Sequence, residues 1–212
     1  MIRIITVERE FGSGGGVIAD KIAKRLDWKL WDQLLTDEIA RRMDCDRGTV
    51  EEHEEKRDPA YYRLMKSFML GSFEGSVNTP RFRMVDTDCV RAVAHEILKE
   101  VADAGNCVVV GRGSAYYLEN RRDAFHVFVY APFKEKIRRL KAMGKTEEEA
   151  VKLVQTVDED RAAFVKRYFK LTWPERHRFH LMVNSRIGDE AAVDTILDAA
   201  ARFAKSPLGQ PA

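Results

Sequence analysis

The chain has 212 residues, of which 45% are hydrophobic and 33% charged, with a formal net charge of +2. That is the balance of a soluble globular chain long enough for one sizeable domain, and it makes no electrostatic case for nucleic acid or a membrane surface as partner. The three cysteines, Cys45, Cys89 and Cys107, have no C-x-x-C spacing, which excludes a zinc ribbon or a disulfide framework and points to a reducing compartment.

The first element is the β-branched run Ile2 to Val7, which predicts a strand. Glu8 to Gly16 follow as a loop, and four of the chain's 13 glycines fall between Gly12 and Gly16. Residues 17–26 then set Ile18, Ile22 and Leu26 on one helical stripe. Strand, glycine loop and helix N-terminus in that order build an anion site: the amides close round a phosphate and the helix dipole favours its charge. The N-terminus carries no signal peptide and no later apolar stretch is long enough to span a membrane, so the expected location is the cytoplasm.

Trp28 to Asp32 alternates as a short strand would, and Thr36 to Met43 reads as a helix. Thr49 to Glu52 fits a capping box. Residues 58–88, rich in Tyr, Phe and Met with scattered Gly and Ser, read as a mobile helical segment suited to covering a substrate. Val90 to Ala102 is an amphipathic helix. Cys107 to Val110, Phe125 to Tyr130 and Leu181 to Asn184 read as further strands, the first being a continuous apolar run of the parallel type. Lys134 to Met143, Glu147 to about Tyr168, and Ala191 to Ala204 read as helices. Strands alternating with helices predict a mainly parallel α/β sheet. Ser206 to Ala212 is expected to be a disordered tail.

The consensus phosphate loop G-x-x-x-x-G-K-[ST] is missing. Gly144-Lys145-Thr146 imitates its end, but no strand precedes it; Gly144 there ends one helix, and Thr146 with Glu149 caps the next. Gly14-Gly15-Gly16-Val17-Ile18-Ala19 also matches the dinucleotide fingerprint, with Asp32 as its ribose acid. Against that reading, Glu8 to Ser13 separate the apolar run from the glycines. Gly111-Arg112-Gly113 ends the Cys107 strand, where ligands of open α/β sheets bind and where an arginine can fork onto phosphate or form a surface salt bridge. The charged run Asp158-Glu159-Asp160-Arg161, with Lys166, Arg167 and Lys170, reads as a solvated helix face or as part of a phosphate-gripping lid that continues through Trp173, Pro174, Arg176 and Arg178. The five histidines show no metal spacing, and His126 reads as a core or edge residue of its strand.

The succession Thr6-Val7-Glu8-Arg9-Glu10-Phe11-Gly12-Ser13-Gly14-Gly15 resembles the start of the cytidylate kinase-like family, relatives of the bacterial CMP kinases among P-loop nucleoside monophosphate kinases. Leu26 to Asp32, Val108 to Gly113, Asp160-Arg161 and Phe179 to Ser185 match in family order. The resemblance implies a P-loop NTPase-type three-layer fold with a five-stranded, mainly parallel sheet. It implies a domain over 1–205, with a helical substrate cover at about 36–90 and a lid at about 144–180. It further implies phosphoryl transfer from ATP, with Mg²⁺, to the small-molecule acceptor CMP or dCMP. Gly12, Ser13, Gly14, Gly15 and Gly16, with Arg9, would hold the donor phosphates. Asp32 and Arg112 would meet the acceptor, and Arg161, helped by Lys166 or Arg167, would close over the transferring group. Phosphoryl transfer needs positioning and charge neutralisation more than a nucleophilic side chain.

The sequence departs from that pattern at the chemistry. The lysine of the CMP kinase loop is Gly15 here, and the threonine two places later is Val17. Gly16-Val17 replaces a frequent Arg-Glu, and Gly113 replaces an acid. Two alternatives follow: a nucleotide-binding sensor with little kinase activity, and a dinucleotide oxidoreductase.

Overall fold

The computed structural model describes residues 1–45 and 87–209. Five strands form one sheet: β1 (Ile4–Arg9), β2 (Lys29–Trp31), β3 (Cys107–Val110), β4 (Ala124–Tyr130) and β5 (Leu181–Asn184), in the order β2-β3-β1-β4-β5. Every pairing is parallel. The helices are α1 (Gly15–Leu26), α2 (Gln33–Cys45), α3 (Thr87–Ala104), α4 (Ser114–Tyr117), α5 (Phe133–Ala142), α6 (Glu147–Phe169) and α7 (Asp189–Phe203).

β1 lies at the centre because both its edges are paired and both its faces are buried. Alternation sends Ile5 and Val7 to one face, where α1 (Ile18, Ala19, Ile22) and α7 (Val193, Ile196) pack. Ile4 goes to the other face, against Leu35 and Ile39 of α2, Ile97 and Leu98 of α3, and Phe164 of α6. A third cluster joins Phe11 of the glycine loop to Ile137 and Leu140 of α5 and to Val154 and Val157 of α6. Each such buried aliphatic side chain contributes about 1.5–3 kcal/mol. The loop after β1 is thus anchored to two helices through an aromatic ring.

Several expectations change. β1 does not stop at Val7: Glu8 pairs with Phe128 and Arg9 with Val129, so the loop runs only from Glu10 to Gly14. Ladder pairing, not side-chain polarity, decides where this strand ends. β3 and not β2 sits beside β1. A doubly wound dinucleotide fold places β2 there, so the dinucleotide alternative is overturned. The tail also begins in order. Ser206 N–H donates to Phe203 O at 2.9 Å and Gly209 N–H to Ser206 O at 3.1 Å, closing a short turn over Pro207–Gly209.

The Gly-Lys-Thr imitation is resolved as a helix break. Gly144 has φ +88°, and Thr146 and Glu149 exchange backbone and side-chain hydrogen bonds at 3.2 and 2.9 Å. His126 is a core residue, hydrogen-bonded to Thr6 Oγ1 at 2.7 Å and stacked on His180. The capping box at Thr49, and all but the last two residues of the stretch 58–88, lie outside the described residues. Among the described residues, no helix is long and apolar enough to cross a membrane.

Candidate functional site

The carboxyl ends of β1 and β3 and the N-terminus of α1 meet at one place. Gly14, with φ +77°, is the N-cap of α1 and has no side chain with which to cap it. The first-turn amides of a helix have no partners within it, and among the described residues nothing accepts from those of Gly15, Gly16 and Val17. The rest of the loop is fixed. Glu10 N–H donates to Val129 O, Ser13 Oγ donates to Glu10 O at 2.7 Å, and Ser185 Oγ donates to Ser13 O at 2.6 Å. A rigid loop therefore presents an uncapped helix end, the electrostatic arrangement that binds phosphate.

Arg9 runs directly beneath this helix end. A Cβ on Gly15 would lie 2.6 Å from Arg9 Cβ, and one on Gly111 would meet Arg9 Nη1. The Arg9 side chain is 5% exposed, and its Nε and Nη2 have no hydrogen-bond partner among the described residues. Position 15 is where the CMP kinases carry their loop lysine. Here Arg9 fills the space that a side chain at 15 would need.

Glu8 alternates to the opposite face and is 6% exposed. Burial raises its pKa, against the pull of Arg9, Arg161 and Arg112. Beyond it, Arg112 stands in a tight turn. Gly111, Arg112 and Gly113 have φ of +65°, +57° and +71°, three left-handed residues in succession. A non-glycine residue held there costs about 1–3 kcal/mol, and buried hydrogen bonds offset it. Arg112 Nη1 donates to Asp32 Oδ1 at 2.9 Å and to Val110 O at 3.3 Å, and Nη2 donates to Thr36 Oγ1 at 2.6 Å. Burial lowers the pKa of Arg112, and Asp32 opposes the shift. The sequence pairs Arg112 and Asp32 as acceptor residues, and the structure does bring them together. The pair is buried, however, not the surface salt bridge that was the alternative.

Arg161 reaches the loop from α6. Its Nη1 donates to Arg9 O at 2.8 Å and to Asp158 Oδ1 at 3.3 Å, and its guanidinium lies over the Phe11 ring. Arg167 and Lys166 are not brought along. Both are exposed, and Arg167 lies against the Tyr168 ring. Arg161 and Arg167 are six positions apart on α6, about 9 Å of helix rise.

Two further cations carry no signal in the sequence. Lys136 of α5 is 7% exposed and lies between Glu10 (2.7 Å) and Asp158 (3.2 Å), its Cβ directly under Gly12. Arg139 lies over Gly14 and pairs with Asp189 at 2.6 Å. Both sit in an ordinary amphipathic helix, where nothing in the sequence distinguishes a buried lysine from a solvated one.

A magnesium ion held by the chain itself does not fit the described residues. Val17 stands where the CMP kinases have a hydroxyl, Ser13 Oγ is turned back to Glu10 O, and Asp32, Glu10 and Asp158 each face a cation.

Residues 4–187 match the family model described as the cytidylate kinase-like family. Among curated proteins none matches. Of solved structures, an uncharacterized protein from Eubacterium ventriosum is 18% identical with a TM-score of 0.68, covering 95% of this chain and 99% of that one. A shikimate kinase from Acinetobacter baumannii in complex with shikimate is 13% identical with a TM-score of 0.53, covering 97% of each chain. A shikimate kinase from Bacteroides thetaiotaomicron is 16% identical with a TM-score of 0.51, covering 92% of this chain and 96% of that one. At these identities the likeness shows the fold, which is that of P-loop kinases.

Proposed function

The chain belongs to the cytidylate kinase-like family, and we propose that it transfers the γ-phosphoryl group of ATP to CMP or dCMP. The observation that carries this reading is Arg9: a buried guanidinium whose Nε and Nη2 have no hydrogen-bond partner among the described residues, under an uncapped helix end. Buried donors left without acceptors are costly, and the oxygens of an anionic ligand remove the cost. In this reading the amides of Gly15, Gly16 and Val17 receive phosphoryl oxygens and Arg9 supplies the charge from below. Gly12 to Gly14 shape the loop. Asp32 and Arg112 border the acceptor at the carboxyl ends of β2 and β3, and Arg161 orients the loop from α6. Residues 144–180 act as a lid and about 36–90 as the acceptor's cover. An oxygen of the acceptor phosphate forms the new bond to phosphorus, and the bond to ADP breaks. The acceptor oxygen is already ionised, so no side chain has to remove a proton. Mg²⁺ enters only as the ion that ATP carries on its phosphates.

A second reading, a nucleotide sensor without appreciable turnover, is favoured by one specific observation. Arg112, Lys136, Arg139 and Arg161 each already face a carboxylate: Asp32, Glu10 with Asp158, Asp189, and Asp158 respectively. A coupled assay of ADP formation across the nucleoside monophosphates decides between the two. Turnover that depends on CMP or dCMP supports the kinase. ATP binding with no acceptor-dependent turnover overturns it in favour of the sensor.

A further inference from the structure

Three donors of unrelated origin converge on one side chain. Asp158 of α6 accepts from the Phe11 backbone N–H of the glycine loop at 2.8 Å and from Arg161 Nη1 at 3.3 Å through one oxygen. Its other oxygen accepts from Lys136 Nζ at 3.2 Å. A loop amide, an ammonium and a guanidinium around two oxygens are the parts of a phosphate site. The occupant seen here is a carboxylate of the chain itself.

We propose that Asp158 occupies a phosphoryl seat, that a phosphate oxygen of bound nucleotide displaces it, and that Lys136 of α5 then adds a second cation to the charge that Arg9 supplies. Three observations support the exchange. The Asp158 side chain is 16% exposed, so the seat opens to solvent on one side. Lys136 does not depend on Asp158 for its position, because Glu10 holds it at 2.7 Å and itself accepts from Ala131 N–H at 3.3 Å. The seat also survives the departure of the carboxylate, since Phe11 is anchored by its ring among Ile137, Leu140 and Val157. A carboxylate with one charge yields to a phosphoryl group with more, provided the nucleotide is anchored elsewhere on the loop. The Asp158 contact is then a built-in competitor that sets the threshold nucleotide concentration.

The inference rests on the reading that the loop binds nucleotide phosphates. Its sign separates it from a purely structural clamp. If Asp158 only steadies the loop, weakening it lowers nucleotide affinity; if Asp158 competes, weakening it raises affinity. Calorimetry of the full chain with the imido-bridged ATP analogue compares wild type with Asp158→Asn, which keeps the shape and loses the charge. The analogue is expected to bind Asp158→Asn about tenfold more tightly, as removing one like charge from an anion's contact shell allows. The gain is expected to shrink in high salt and to vanish in Asp158→Asn with Lys136→Gln. An Asp158→Asn variant that melts like wild type and binds equally or more weakly overturns the proposal. A gain that persists without Lys136 overturns the role of the lysine. Should the variants not fold, the Phe11 amide resonance of ¹⁵N-labelled wild type serves instead: it shifts on titration with the analogue if the seat is used, and an unmoved resonance overturns the seat. Wild type that binds the analogue without either response sinks this inference alone. Wild type that binds none sinks the nucleotide reading, and the seat with it.

Discussion

Arg9 and Arg112 are both buried, both at the carboxyl end of a central strand, and yet opposite in state. Arg112 meets a carboxylate, a carbonyl and a hydroxyl within the chain. Arg9 lies under the glycine loop with Nε and Nη2 unmatched among the described residues. Burial desolvates both, so the difference lies in what is offered in return. One guanidinium joins β3 to the β2–α2 junction; the other keeps buried donors unmatched among the described residues. Under the proposed function, the contrast separates a residue that builds the site from one that serves a ligand.

The largest expected effect is on Arg112. Replacing it with Met leaves Asp32 buried without its cation, and breaking a buried pair this way costs about 3–5 kcal/mol. Urea denaturation measures it, and a loss under 1 kcal/mol would erase the distinction drawn above.

The second concerns a buried base that does not keep its charge. Burial, with the neighbouring His180, holds His126 at a pKa of about 4, below its ordinary 6.5. Protonation therefore favours the unfolded chain. The contribution is present in full above pH 6.5 and is lost as pH falls from 6.5 toward 4, about 3 kcal/mol in all. Unfolding free energies at pH 7.5 and 5.0 test it, and His126→Asn should flatten the slope. An unchanged slope in that variant would place the titration elsewhere.

The third tests whether Arg9 has taken the lysine's place. Gly15→Lys forces a Cβ against Arg9 Cβ, and overpacking of this kind costs about 1–3 kcal/mol. Adding Arg9→Gly should restore stability and nucleotide affinity together. A Gly15→Lys protein as stable as wild type would show that the space was free.

The smallest effect on stability belongs to Arg9 itself. Arg9→Met removes two unmatched buried donors but also the charge that offsets the burial of Glu8, so stability should change by less than about 1 kcal/mol. Affinity for the imido-bridged ATP analogue should meanwhile fall by about tenfold or more. If Arg9→Met destabilises as Arg112→Met does, the two arginines are alike after all.

The architecture was readable because its signals are local. Val108-Val109-Val110 between Cys107 and Gly111 permits little but a buried parallel strand, and Thr146 with Glu149 carries its own cap chemistry. The glycine loop was readable for the same reason. The contacts around it are not, although the family resemblance names Arg9, Asp32, Arg112 and Arg161. Arg112 finds Asp32 across 80 positions, and Phe11 finds Asp158 across 147. No window of sequence contains both partners. The apolar pattern of β1 ends at Val7 because Glu8 and Arg9 are charged, whereas their place is set by backbone pairing with Phe128 and Val129. The family resemblance names Arg9 with the glycine loop, but only the strand pairing shows that it lies buried in the central strand.

In the proposed reading, a phosphate-facing cation anchored on β1 and not on the first turn of α1 has a consequence for heredity. A strand laddered on both edges lets its side chains move little, so the charge is delivered in one orientation, and changing it means altering the middle of the sheet. The neighbouring glycine is then locked by what passes beneath it: a side chain at Gly15 meets Arg9 Cβ and can be gained only if Arg9 shrinks. In the proposed reading, moving the charge from strand to helix therefore takes paired changes at positions 9 and 15.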